Sequence, residues 1–328
     1  MAVVRKNILS DQVSRDDFIR GVGLLKREAS SFSTGQFGIP GPSVPVSTYD
    51  LFVVWHGLTM MTPIPPGGDP LRRNAAHRGP IFLPWHRVML AVLEANLQRV
   101  LGNPGFALPY WDWAADGDLG SPVNAQIWTY LGTTGTPVPN GPFHHDPADP
   151  GSFTVRIESD PSGMLVQTER GLKRDFGRPS PVGWPMLPTS AEVKDALDFA
   201  AAGPHPEDRY DTVPFNVTSE GFRNRVEGFR PSGQPHLHNQ VHLWVGGDMT
   251  PATSPNDPVF FLNHCNEDRI WEGWMNRYGR VYAPDMSFPA SIYEGERIDD
   301  PIVSPLGSGA TPRTVMDISA AYTYDVLP

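Results

Sequence analysis

Ala76-His77-Arg78-Gly79-Pro80-Ile81-Phe82-Leu83-Pro84-Trp85-His86-Arg87 carries two histidines into one short region. Pro84 suits the first turn of a helix. From Trp85 the apolar positions Val88, Met89, Val92, Leu93, Leu97 and Val100 keep a helical period that ends at Gly102. His86 is therefore expected at a helix N-terminus and His77 on the loop that leads into it. A rigid helix and its incoming loop can aim two imidazoles at one point.

A second stretch repeats the theme. His236-Leu237-His238-Asn239-Gln240-Val241-His242 is followed by Asn256-Asp257-Pro258-Val259-Phe260-Phe261-Leu262-Asn263-His264. His238 and His242 are spaced to share one face of a helix, and His236 points elsewhere. Pro258 opens a further helix with Asp257 as its cap. The apolar face of that helix includes Phe261, Leu262, Ile270, Trp271 and Trp274, and His264 lies in its first two turns. Upstream, Ser47 to Met61 reads as a helix with one inward histidine, His56. Most of the 10 histidines thus fall in two clusters. His144, His145 and His205 stand among Pro, Asp and Gly and read as loop residues.

The rest of the chain reads as a scaffold. Asp11 to Glu28 looks helical, with Ser10 or Asp11 as cap and Phe18, Val22 and Leu25 on its buried face. Ser31 to Val46 reads as a loop. Phe106 to Trp113 reads as a buried aromatic segment with Asp112 as its polar anchor. Residues 114 to 214 are loop-rich, with a strand at Phe153–Ile157 and a helix from Ser190 to Ala201. Ser219 to Phe229 reads as a helix capped by Ser219, and the tail from Tyr278 is expected to pack back on the body. The 36 prolines and 32 glycines are interleaved with aromatic residues, which points to long ordered loops instead of disorder.

Composition removes several function classes. The chain has 328 residues and a formal charge of -10. A nucleic-acid partner requires a basic face, and an anionic membrane surface attracts cationic segments. The longest apolar runs are too short to span a bilayer. Cys265 is the only cysteine, so no intramolecular disulfide forms and no oxidising compartment is needed. The start of the chain carries no apolar signal core. The expectation is a cytoplasmic protein, with export only in company with a partner that carries a signal.

Ligand type narrows the metal. Imidazole suits copper, zinc, iron and nickel. A lone cysteine argues against structural zinc held by thiolates. Di-iron bundles draw glutamates from several helices. Glu94 and Glu267 stand on suitable helices, but the two halves lack the paired Glu-x-x-His pattern. Two all-histidine sites fit copper better, and two coppers with open positions between them can bind dioxygen and supply two electrons to it.

The two stretches resemble the copper signatures of the tyrosinase family of type 3 copper proteins. Residues 77–87 are similar to the first signature, and residues 237–242 with 256–264 to the second. Leu108-Pro109-Tyr110-Trp111-Asp112-Trp113 and Trp244-Val245-Gly246-Gly247 also resemble bacterial members. The likeness covers most of residues 1–328 and is weakest at about 115–215. It implies a mainly α fold in which a four-helix bundle holds a dinuclear copper site, with long loops and a few short strands. It implies copper A at His56, His77 and His86, and copper B at His238, His242 and His264. It also implies that Glu227 and Asn239 hold a water that deprotonates an incoming phenol.

Three departures qualify the resemblance. Asn263 stands where most relatives carry a histidine, which alters the pocket at copper B toward catechols or o-aminophenols. Cys265 lies beside a copper B ligand, so the thioether of fungal and plant relatives to a copper A histidine is not expected. The chain is expected to be a single copper domain over 1–328 without a C-terminal shielding domain. Asn263, Phe260 and Phe261 are the candidate pocket residues. The expected activity is hydroxylation of monophenols and oxidation of o-diphenols to o-quinones with dioxygen, with a separate copper-delivery protein as a further partner. The alternatives are a catechol or o-aminophenol oxidase with little hydroxylation, and a haemocyanin-like oxygen carrier.

Overall fold

In the computed structural model residues 2–178, 186–199, 205–229, 236–304, 307 and 309–328 are described. Among them seven helices have six residues or more: α1 (Gln12–Arg27), α2 (Asp50–Met60), α3 (Phe82–Leu101), α4 (Ser190–Asp198), α5 (Phe222–Glu227), α6 (Leu237–Val245) and α7 (Val259–Tyr278). Three two-stranded pairs accompany them. Strand β1 (Val3–Arg5) lies parallel to β6 (Tyr322–Tyr324). The β2 (Ala29–Ser33) and β3 (Pro45–Ser47) pair is antiparallel, as is the β4 (Val155–Ser159) and β5 (Leu165–Arg170) pair. The mainly α expectation is met, with short strands and long connections.

The helices form where the apolar period lies. In α1 the Asp11 side chain accepts from Ser14 N at 2.9 Å, and Phe18, Val22 and Leu25 are fully buried. Gly21 lets α1 approach α3: a Cβ there would meet Leu97 Cδ2 at 2.6 Å. Helix α3 begins at Phe82, a turn before Trp85, and stops at Gly102 with φ 62°. Its buried face includes Met89, Leu93 and Leu97, but also Arg87 and Glu94. Helix α7 is central and is buried from Val259 through Met275. Helix α2 meets α3 through Trp55 and Trp85, whose rings lie 5.4 Å apart.

Buried charges lock α3 to α7. Asp268 of α7 takes Arg87 Nε, the Tyr322 hydroxyl at 2.7 Å and Arg5 Nη1 at 3.3 Å. Arg5 also forks onto Glu94, with both N···O distances at 3.1 Å. The β1–β6 pair therefore plugs the groove between α3 and α7, and the tail packs back as expected. A second buried pair, Arg174 with Asp257, sits at zero side-chain exposure. Arg174 also donates to the carbonyls of Leu131 and Gly132, and Asp257 Oδ1 accepts from Val259 N. Asp257 thus caps the entry to α7, with Pro258 in the N-cap position.

Several local expectations need correction. Residues 31–46 hold a strand end, a short 3-10 turn and the start of β3 as well as loop, because Ser30 and Ala29 pair back onto Val46 and Ser47. The helix expected over 219–229 spans only Phe222–Glu227. Ser219 spends its hydroxyl on Asn216 N, and Gly221 takes the cap position. The helix expected from Ser190 to Ala201 is capped by Thr189 and ends at Asp198, and Ala200 and Ala201 lie outside the described residues. The buried anchor of the aromatic segment is Asp116, which accepts from Trp111 Nε1 at 2.7 Å, whereas Asp112 is half-buried. No helix among the described residues is long and apolar enough to cross a membrane.

Removing one partner of a fully buried ion pair leaves the other charge desolvated. Asp257→Ala is expected to lower unfolding stability by about 3–5 kcal/mol. Urea titration would read this as a fall in midpoint at constant slope.

Candidate metal centre

Helix α2 supplies His56, the loop before α3 supplies His77, and α3 supplies His86 from its second turn. Helix α6 supplies His238 and His242 one turn apart, and α7 supplies His264. The six sequence-expected ligands come together as two triads. In each, the candidate ligand atoms all lie within 4.8 Å of one another. The ring centroids of His77 and His86 are 4.8 Å apart, and those of His238 and His242 4.4 Å. The triads face each other through His86 and His264, whose rings stack 3.9 Å apart and parallel.

Four of the six Nδ1 atoms are held from behind by main-chain carbonyls. His56 Nδ1 meets the Ala252 carbonyl and His242 Nδ1 the Met249 carbonyl. His86 Nδ1 meets the Phe82 carbonyl at 2.8 Å, and His238 Nδ1 meets the Glu227 carbonyl at 3.1 Å. A carbonyl only accepts, so these rings carry their proton on Nδ1 and leave the Nε2 lone pair free. Buried polar atoms are nearly always partnered. Nevertheless Nε2 of His56, His86, His238, His242 and His264 is buried without a hydrogen bond. Burial, above all, pushes His56 down to about 3 and His242 down to about 4, and holds the other four rings well below the usual range. All six are neutral at pH 7, as metal ligation requires.

The loop that carries His77 is pinned by Asn74 and Glu296, which the sequence did not single out, and by Glu227, which it did. Asn74 Oδ1 accepts from the backbone of Ala76 and His77 at 3.1 and 2.9 Å. Arg78 has φ 66°, a left-handed conformation unusual for a side-chain residue, and its N–H donates to Glu227 Oε1. Glu296 Oε2 accepts from Ile81 N at 3.0 Å, and burial pushes this carboxyl up to about 8.

The other sequence candidates divide. Phe260 lies against His56 at 5.0 Å, His264 at 4.1 Å, and also His86 and His242, so it floors the space between the triads. Phe82, not singled out beforehand, packs on His86 and His238 at 4.8 Å each. Phe261 faces Tyr49 and Phe52 and belongs to the core. Asn263 is fully buried, one helical turn before Glu267. Asn239 is half-buried, with Oδ1 3.1 Å from His238 Nδ1. Glu227 is buried and pairs with Arg223 at 2.8 Å. His144, His145 and His205 lie outside the triads, as expected.

The donor set decides among metals. Glu94 is engaged by Arg5 and by Leu108 N, and Glu267 stands behind His264, so neither carboxylate joins a triad. The Cys265 thiol is buried against the Leu108 carbonyl and the Tyr324 hydroxyl, and burial raises it to about 12. Two all-imidazole triads in a helical core define a dinuclear copper protein of the type 3 class. The chain matches the common central domain of tyrosinase over residues 46–277. It is 35% identical over 284 residues to a tyrosinase of Streptomyces glaucescens, which covers 84% of this chain and 88% of that one. It is 36% identical over 274 residues to grixazone synthase of Streptomyces griseus subsp. griseus, with 77% and 82% covered. The fold is similar to a polyphenol oxidase of Thermothelomyces thermophila at TM-score 0.67 and 22% identity, over 100% of this chain and 89% of that one. It is also similar to a functional unit of octopus hemocyanin at TM-score 0.54 and 18% identity, over 99% and 68%. The chain belongs to the tyrosinase family and is an enzyme of the tyrosinase type.

The Glu296 shift makes a stability prediction. The folded chain keeps this proton up to about pH 8, whereas an ordinary glutamate releases it near 4.5. The stability that the neutral acid contributes is whole below the lower value and is lost as the pH rises through the higher one. Glu296→Gln stays neutral throughout. Its melting temperature relative to the parent is expected to rise between about pH 5 and about pH 9.

Proposed function

We propose that this chain binds phenolic compounds over the two triads and, with dioxygen, hydroxylates monophenols to o-diphenols and oxidises o-diphenols to o-quinones. Copper A is assigned to His56, His77 and His86, and copper B to His238, His242 and His264. The observation that carries the reading is the set of unpartnered, buried Nε2 atoms converging in two facing triads. Bound there, the copper pair supplies the two-electron chemistry on dioxygen. The protein keeps the rings neutral, fixes their Nε2 atoms and lines the space with Phe260 and Phe82, which excludes water.

The half-buried residues His242 and Asn239 mark the open side, where substrate arrives. Proton handling is assigned to Glu227 and Asn239. Gly228 brings the end of α5 against α6, where a Cβ on it would meet the His236 carbonyl at 2.0 Å and Asn239 Cβ at 2.9 Å. Each Glu227 carboxyl oxygen has one protein donor, Arg78 N or Arg223 Nη1, and one lone-pair position left. A water held there by Glu227 and Asn239 takes the phenol proton. Burial pushes Glu227 above the usual carboxylate range, against the pull of Arg223, which strengthens it as a base. Burial of the ligands also favours copper loading by a separate delivery protein over unaided entry.

The test uses copper-loaded protein, with tyramine and its catechol counterpart followed separately by quinone absorbance and oxygen uptake. Turnover of both, with a lag on the monophenol, is expected. Reaction of the catechol or an o-aminophenol alone would replace the hydroxylase reading with the oxidase one. Copper and oxygen binding without turnover would leave an oxygen carrier. Glu227→Gln is expected to lower monophenol turnover by about 100-fold or more and to leave catechol turnover within about threefold.

A further inference from the structure

At His56, His86, His238 and His242 a main-chain carbonyl accepts from Nδ1. His264 differs. Its Nδ1 lies 2.8 Å from Glu267 Oε2, one turn further along α7, in a position not turned into line for a full hydrogen bond. Neither carboxyl oxygen of Glu267 has a hydrogen-bond partner, although the residue is only 1% exposed. Asn263, one turn earlier and fully buried, makes no well-aligned hydrogen bond with either amide atom, although its side chain lies within reach of the Glu267 carboxyl. Five buried polar atoms of three neighbouring side chains thus lie together behind one ligand. Burying a polar group without a partner costs free energy, and an apolar side chain would fill the same place without that cost. Packing therefore gives no reason for a glutamate here.

We propose that Glu267 is a positioning residue, whose carboxyl accepts the Nδ1 proton of His264 when Nε2 ligates copper. The proposal rests on the assignment of His264 as a copper B ligand. A carboxyl oxygen can accept that proton in either of its own protonation states. A ligating imidazole usually donates its second N–H to a carboxylate, a carbonyl or water, and loss of that acceptor typically weakens metal binding. Glu267 fills at His264 the place that carbonyls fill at four other ligands. The Asn263 amide lies close enough to the Glu267 carboxyl to interact with it and orient it. A departure beside the last ligand then reaches the metal through Glu267 instead of by opening the substrate pocket.

Glu267→Val removes the acceptor, and Glu267→Gln keeps an amide oxygen in its place. Under competition with a copper(I) chelator, E267V is expected to hold one of its two coppers about 10–100-fold more weakly, and E267Q to stay much nearer the parent. Metal-free E267V is expected to melt at a higher temperature than the metal-free parent, because an unpartnered buried carboxyl is gone. Greater apo stability with weaker copper binding is a pairing that a purely structural role does not produce. E267V that holds both coppers as tightly as the parent would overturn the proposal. A parent that binds fewer than two coppers would instead remove the ligand assignment itself. If neither variant folds, nitrogen-15 spectra of the metal-free parent decide through the His264 tautomer. A proton on Nδ1 supports the proposal, and a proton on Nε2 overturns it.

Discussion

An imidazole presents Nε2 to a metal best when something behind it accepts the proton on Nδ1. Much of this structure is shaped by meeting that condition several times in a small volume. His86 of α3 needs no help from outside its helix, since the Phe82 carbonyl lies one turn back. The others draw on distant chain. The segment between α6 and α7 brings the Met249 and Ala252 carbonyls to His242 and His56, which lie on different helices in different triads. One connection therefore orients a ligand of each triad. Its sequence near residue 250 matters for the backbone path it allows as much as for its side chains.

Holding two triads face to face also requires α3 and α7 to keep their register, because His86 stacks on His264 across that contact. Apolar side chains alone tolerate sliding, since many packings of similar volume have similar energy. The buried charges do not. Asp268 takes Arg87, Arg5, Tyr322 and Tyr324 together, and these come from three separate parts of the chain. A shift of one turn would leave several buried charges unpaired, at a cost of several kcal/mol for each. The network specifies an alignment more than it adds net stability. It also explains why a three-residue strand at each end of the chain is worth ordering.

The six ligands were legible because histidine clusters on strongly periodic helices have few structural explanations, and their surroundings resemble a known pair of signatures. The long helices α1, α3 and α7 were legible for the same reason of period. What sequence did not show depends on contacts without a local pattern. Val3 pairs with Tyr322 across nearly the whole chain, and no three-residue run announces that. Main-chain carbonyls that accept from imidazoles have no side-chain signature. Asp116, outside the aromatic run, takes the buried-anchor role expected of Asp112 because only packing puts it beside the Trp111 indole. The sequence offers Glu94 only as a candidate metal ligand and gives Arg87 no role, whereas both are buried ion-pair partners, of Arg5 and Asp268.

Glu227 shows why such a site resists division into metal binding and catalysis. Its main-chain carbonyl holds His238, a ligand of one triad. Its carboxyl holds the left-handed Arg78, next in sequence to His77 of the other triad. Arg223 and Asp211 fix that carboxyl from behind at zero exposure. The residue therefore helps set the spacing between the triads while it stands ready to handle a substrate proton. Backbone and side chain act in different directions, so a change that spares the carbonyl can alter one role and leave the other. Replacement by glutamine keeps the main-chain carbonyl on His238 and one acceptor oxygen, but removes the charge and one of the two carboxyl contacts, to Arg78 N or to Arg223. Deletion of the turn at Gly228 would move His238 as well. The two kinds of change separate proton transfer from ligand geometry, which no substitution of a histidine can do.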